Sequence, residues 1–319
     1  MTWFLLTLAC IVLWGIADIL YKATSDPNDP LSHYKSFVWI GIVMALAGGI
    51  MASWSDTLPS SFQVLMDNLY LIPLTIVYAL ALFLSLLGIK YLDVSVVSTL
   101  ENIDGGIAAI LLCFFFFLTG SRNVAAELYV LDILAAVIIA VGVVVLGIQE
   151  QKLYRQQAGL GPDGRKPRLG AAALIFPLLY NLVDAVSMAA ISITVSGQAG
   201  VQMPDNDFFI FECAGFVLVA VCVWLYMLVV KKHFYHPFQD GEMIRCGAAT
   251  GETFGIMTFI LASASQPTLT APVTSSYCLV TMVLARVFLK ERLNKKQNRA
   301  LILLVIGIAL LGLSQLIRG

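Results

Sequence analysis

Apolar runs about 20 residues long recur along the whole sequence, and they constrain the fold more than any other feature. A hydrocarbon core about 30 Å thick is crossed by about 20 apolar residues in a helix. Ten such runs can be read, at residues 3–21, 36–53, 69–90, 95–118 and 128–149, then 171–195, 208–230, 244–263, 269–289 and 300–317. Backbone in lipid must satisfy its own hydrogen bonds, so each run is expected as a helix. Composition excludes the soluble alternative. The apolar set makes up 59% of the 319 residues and charged residues 12%, against averages of about 45–50% and about 25%. The expected fold class is all-α: a polytopic membrane protein of about ten transmembrane helices. The first run lacks a basic leader and is too long for a signal-peptide core, so it is expected as a mature helix.

Lys and Arg set the expected orientation. On the ten-span reading, 16 of the 19 fall on one side, Arg122 and Arg318 on the other, and Arg286 within a span. The basic side is expected in the cytoplasm and both termini outside, in the cytoplasmic (inner or plasma) membrane. One miscounted helix would scramble this asymmetry. Net charge is −1, which offers no basic surface to nucleic acid. The six cysteines each sit alone in an apolar run and are read as small buried thiols, with no disulfide framework or zinc site.

The chain divides into two similar halves. Residues 1–149 and 170–319 flank a polar, Gly- and Pro-containing linker at 150–169, expected in the cytoplasm. Leu13-Trp14-Gly15-Ile16-Ala17-Asp18 matches Leu179-Tyr180-Asn181-Leu182-Val183-Asp184 at an offset of 166, and Gly142 to Gly147 matches Gly307 to Gly312 at 165. Five helices per half is an odd number, so the second copy enters the membrane upside down. Inverted repeats of this kind place a transport site at their interface near mid-bilayer.

The stretch from Val283 to Leu293, with Lys295, Lys296, Gln297 and the Gly307–Gly312 helix, resembles the closing pattern of the drug/metabolite transporter superfamily, EamA-like type. Ser98-Thr99-Leu100-Glu101 resembles that family's Leu-Glu-Pro start of the fourth helix, with Asn102 where Pro is usual. The turn after that helix, Thr119-Gly120-Ser121-Arg122, departs from the pattern in lacking Glu. The resemblance implies two five-helix EamA-like repeats and transport of a small metabolite.

Ionisable groups inside spans cost at least about 2.5–3.5 kcal/mol on insertion scales, and their default reading is functional. Asp184 and Glu252 lie near the middle of their runs, Glu101 and Asp104 share a helix face, and Asp18 is deeper than a headgroup. Each has a structural alternative. Asp18 has Lys22 one turn away as a partner. Glu101 and Asp104 can bond backbone loosened by Gly105-Gly106. Glu212 and Asp132 are expected hydrated at the rim. Gly247, Gly251 and Gly255, spaced by four, are read as a helix-packing face. Pro73, Pro177 and Pro272 are read as kinks. Trp14 precedes Asp18 and Tyr180 precedes Asp184 by one turn, while Tyr78 and Tyr277 fall inside other spans. Rings and carboxylates together suit an ammonium group. The expected substrate site is therefore Trp14, Asp18, Glu101, Asp104, Tyr180, Asp184, Glu252 and Tyr277, with Glu101, Asp184 and Glu252 as proton-coupling candidates.

Nothing in the sequence supplies an ATP-binding loop, a metalloprotease helix or a serine-nucleophile elbow. No catalytic residue, metal or cofactor is expected. The expected function is secondary active transport of a small polar metabolite by alternating access, proton-coupled and leaning to an amine or other cation. A neutral solute such as a sugar or amino acid is the alternative. An intramembrane transferase or hydrolase, or a non-transporting partner protein, belongs to other classes. Small-molecule substrate, protons and the lipid bilayer are the expected partners.

Overall fold

The structure, a computed structural model, describes residues 2–54, 66, 69–120, 130–157, 173–197, 203–239, 241–289 and 295–318. The described residues form helices and no strand. In order they are α1 (Thr2–Thr24), α2 (Ser32–Trp54), α3 (Ile72–Tyr91), α4 (Val94–Glu101), α5 (Asp104–Thr119) and α6 (Val130–Gln157). Then follow α7 (Ile175–Val195), α8 (Asp205–Val229), α9 (Met243–Ser265), α10 (Pro267–Thr274), α11 (Cys278–Phe288) and α12 (Lys295–Arg318). Among the described residues, six stretches are long and apolar enough to cross a membrane: α1, Ser32–Ser53 of α2, α3, α7, α8 and the run Pro267–Phe288. Large apolar side chains cover their outer faces, among them Leu5, Leu80, Leu182, Val229 and Val287. A surface this apolar needs lipid rather than water, so the chain is an integral membrane protein.

The interior is built by pairing distant helices. α1 lies against α9, α2 against α8, α3 against α7, and α6 against α12. The glycine face of α9 explains the first contact. A Cβ at Gly251 would stand 3.0 Å from the Leu13 carbonyl oxygen, one at Gly247 would stand 3.4 Å from the Leu20 side chain, and one at Gly255 would overlap the Trp14 indole.

Two runs expected as single helices are broken. Residues 95–118 split at Asn102-Ile103, between α4 and α5. Residues 269–289 split at a 3-10 turn, Ser275–Tyr277, between α10 and α11. The freed carbonyl of Leu100 accepts from Asn181 Nδ2 of α7 at 2.7 Å, so the first break is satisfied within the protein. Of the three expected kinks only Pro272 lies in a helix interior, while Pro73 and Pro177 sit in first turns, where no backbone donor is needed. α6 continues to Gln157, so the start of the expected 150–169 linker is helical, and residues 158–169 lie outside the described residues. The basic-side positions Arg165, Lys166, Arg168, Lys290 and Arg292 also lie outside them, as does Arg122, expected on the other side. All six cysteines are free, but Cys222 is exposed and Cys113 and Cys246 are half-buried, because they face outward from their helices.

The break in α4–α5 predicts a sharp contrast between neighbouring glycines. A Cβ at Gly105 would overlap the Ser275 hydroxyl and the Ala271 carbonyl, whereas one at Gly106 meets nothing within 4 Å. Gly105→Ala is expected to destabilise by about 1–3 kcal/mol through overpacking. Gly106→Ala is expected to be neutral or stabilising by about 0.5–1 kcal/mol, as for Gly replaced inside a helix. Thermal unfolding in detergent separates them, and equal midpoints would contradict the α5–α10 contact.

Candidate functional site

Four helices and a turn bring one face each to a small interior space. α1 supplies Trp14, Asp18 and Tyr21, and α3 supplies Tyr78, Leu82 and Ser85, both at the i, i+4, i+7 spacing of one helix face. α7 adds Tyr180, α9 adds Glu252, and the 3-10 turn adds Tyr277. The cavity they line is about 20 Å³, room for about one water molecule. Trp14 packs edge-on to Tyr277 with ring centroids 5.8 Å apart and lies tilted on Phe259 at the same separation.

Five of the eight expected residues line this cavity: Trp14, Asp18, Tyr180, Glu252 and Tyr277. Of the other three, Glu101 and Asp184 connect to it through lining hydroxyls, and Asp104 through Asp184. Ser85, in the lining, donates from Oγ to Glu101 Oε2 at 2.9 Å. Tyr180, also in the lining, donates to Asp184 Oδ2 at 3.1 Å. Asp104 accepts from Ser275 Oγ at 3.3 Å and faces Asp184 across the α5–α7 contact. Within the lining, Tyr78 donates to Glu252 Oε1 at 2.5 Å; Thr281, one turn beyond Tyr277, donates to Asp18 Oδ2 at 3.1 Å.

The five carboxyls of Asp18, Glu101, Asp104, Asp184 and Glu252 are all buried, at 0–8% exposure. Each lies within electrostatic reach of another member of the group. Among the described residues none of the five forms an ion pair. Glu101 Oε1, Asp104 Oδ2 and Asp184 Oδ1 have no hydrogen-bond donor there either. Unpaired buried charge is expensive, so the group cannot carry five charges without a cation or protons to balance them.

The expected structural role of Lys22 is different. Its ammonium donates to the carbonyls of Ile89 at 2.9 Å and Leu92 at 2.5 Å, closing the C-terminal end of α3. Lys90 donates to the Asp29 carbonyl at 2.7 Å. Burial pushes the Asp29 carboxyl up, but Lys35, 2.7 Å away, and the Leu31 N–H outweigh it and hold it below the usual range. Arg245 donates to Glu242 Oε2 at 2.7 Å, to the Thr24 carbonyl at 2.5 Å and to Ser36 Oγ at 3.3 Å. These cations therefore tie α1, α2, α3 and the start of α9 together at one end of the bundle. Glu212, expected hydrated at the rim, is fully buried, and neither of its oxygens has a partner among the described residues. The turns of α8 around it pack inward on α2 and α3, which a depth count along one helix does not reveal. The Asp132 side chain lies outside the described residues.

Sequence reasoning missed Tyr21, Ser85, Ser275 and Thr281 and gave Tyr78 no specific role. The spacing of Tyr78, Leu82 and Ser85 on α3 was the available signal for that helix. Nothing local could show that Thr281 meets Asp18, since 263 positions separate them.

No protein-family model matches the chain. No curated protein matches it. A solved crystal structure of another protein superposes on it with a TM-score of 0.62 at 17% sequence identity, covering 98% of this chain and 96% of that one. The likeness extends over nearly the full length and is one of fold.

Proposed function

We propose that this protein is a secondary transporter of a small amine or other cationic metabolite, working by alternating access with proton coupling through its buried carboxyls. The observation that carries the reading is the group of five buried carboxyls without a cationic partner among the described residues, lining an aromatic cavity or joined to it through Ser85 and Tyr180. Rings and carboxylates attract an ammonium group, and carboxyls that release a bound cation can take protons in its place. Asp104 and Asp184 are the natural place for a shared proton, because a carboxyl can donate to another only when protonated.

The reading takes the chain as ten spans in two inverted five-helix halves, the plan of the EamA-like drug/metabolite transporters. The helix pairing supports it. Exchange of α1 with α7, α2 with α8, α3 with α9 and α6 with α12 maps the α1–α9 contact onto α3–α7 and returns α2–α8 and α6–α12 to themselves. The two broken runs, α4–α5 and α10–α11, fall fourth in each half. The basic end, tied together by Lys22, Lys90 and Arg245, is then the cytoplasmic one, with both termini outside the cytoplasmic membrane, and this conformation is closed there.

The test is counterflow. Vesicles containing the protein and preloaded with an unlabelled short diamine, which crosses lipid slowly, are expected to accumulate the labelled diamine transiently. Accumulation no greater than in protein-free vesicles, for amines, amino acids and sugars alike, would reject transport.

A further inference from the structure

A second and much larger space lies beside the cluster. It is a groove of about 440 Å³ between α5, α6 and α10, within the range of about 300–1,000 Å³ usual for ligand pockets. Its walls are apolar: Ile107, Ile110, Ile133, Val137 and Leu269 are among them. Its outer rim carries Ile110 and Val137, 70% and 54% exposed, so it opens sideways on the lipid-facing surface.

The inner wall differs from the rest. Asn102, at the helix break, lines the groove and is 1% exposed. Its amide nitrogen is used by the Ser98 carbonyl, but Oδ1 has no donor among the described residues. Ser275 lines the same wall and donates to Asp104. A buried acceptor left without a donor keeps its full desolvation cost. A lipid acyl chain fills an apolar groove but carries no donor. An occupant with both an alkyl body and an N–H group satisfies walls and acceptor together, and Asp104 behind Ser275 favours a positive charge on it.

We propose that this lateral groove binds the alkyl body of an amphiphilic primary amine from the bilayer, with its N–H groups donating to Asn102 Oδ1. The proposal names a substrate subclass for the proposed transporter and rests on that reading. It gives such an amine a route to the carboxyl cluster that avoids the basic end.

The experiment measures binding to the full chain in phosphatidylcholine nanodiscs, with protein-free nanodiscs as reference. The probes are propylammonium, octylammonium, octyltrimethylammonium and octanol. Octylammonium is expected to bind tightest, since octanol lacks the charge and octyltrimethylammonium lacks the N–H. Gly106→Leu projects into open space in the groove and is expected to weaken octylammonium about tenfold, the scale of lost contacts in an apolar pocket, while propylammonium is unchanged. Val137→Phe, on the opposite wall, should do the same if Gly106→Leu does not fold. Octanol or octyltrimethylammonium binding as tightly as octylammonium would overturn the proposal, as would absent octylammonium binding or equal losses for both chain lengths. If the groove behaves as expected but no diamine counterflow occurs, the transport reading fails and an amine site remains. If counterflow occurs while Gly106→Leu is without effect on octylammonium, the groove proposal alone fails.

Discussion

Glu252→Gln is expected to reduce pH-gradient-driven uptake of a labelled diamine to the level of protein-free vesicles. The amide keeps the acceptor that Tyr78 uses at 2.5 Å, so the fold should survive, with a stability change within about 1 kcal/mol. What it loses is the ability to exchange a proton for a cation. Exchange of labelled for unlabelled diamine at equal pH needs no net proton movement and should persist in part. Asp184→Asn is expected to behave alike, because its partner Asp104 then has no carboxyl with which to share a proton. Glu101→Gln tests the third candidate, which reaches the cavity only through Ser85. If Glu252→Gln, Asp184→Asn and Glu101→Gln all transport at the wild-type rate under a pH gradient, the coupling assignment is wrong.

Arg245→Ala should have the largest effect on stability. The guanidinium ties the C-terminal end of α1, the second turn of α2 and Glu242 together at the basic end. Its side chain is 9% exposed and that of Glu242 14%, so removing it leaves a largely buried carboxylate whose remaining hydrogen-bond partner among the described residues is the Tyr235 hydroxyl at 2.7 Å. Breaking a buried pair on one side costs about 3–5 kcal/mol. Thermal unfolding should show a large fall in midpoint. Arg245→Lys, which keeps the charge but cannot span three acceptors, should fall between. An Arg245→Ala midpoint equal to wild type would mean that this end is not held as described.

How much of this was legible in the sequence differs by feature. The helical class and the membrane follow from run length, since nothing else accommodates so many apolar residues of that length. Trp14 with Asp18 and Tyr180 with Asp184 were readable as pairs, because one helix turn fixes each. The same logic fails across helices. Lys22, one turn from Asp18, goes to the carbonyls ending α3 instead, since the approach of α3 to α1 is a tertiary event. The helix break at Asn102 had a signal in Gly105-Gly106, but its repair by Asn181 depends on α7 and left none. Glu212 was misjudged because depth was counted along one helix, whereas burial depends on what packs against it. The glycine face of α9 was read correctly because small residues spaced by four serve one geometric purpose.

The most direct measurement of the central claim is proton movement on addition of substrate. A pH-sensitive dye is sealed inside vesicles containing the protein, and a diamine is added outside at equal initial pH. Coupled transport predicts a change of internal pH that depends on the diamine and is lost in Glu252→Gln. Diamine entry without any internal pH change beyond that of protein-free vesicles would contradict the account.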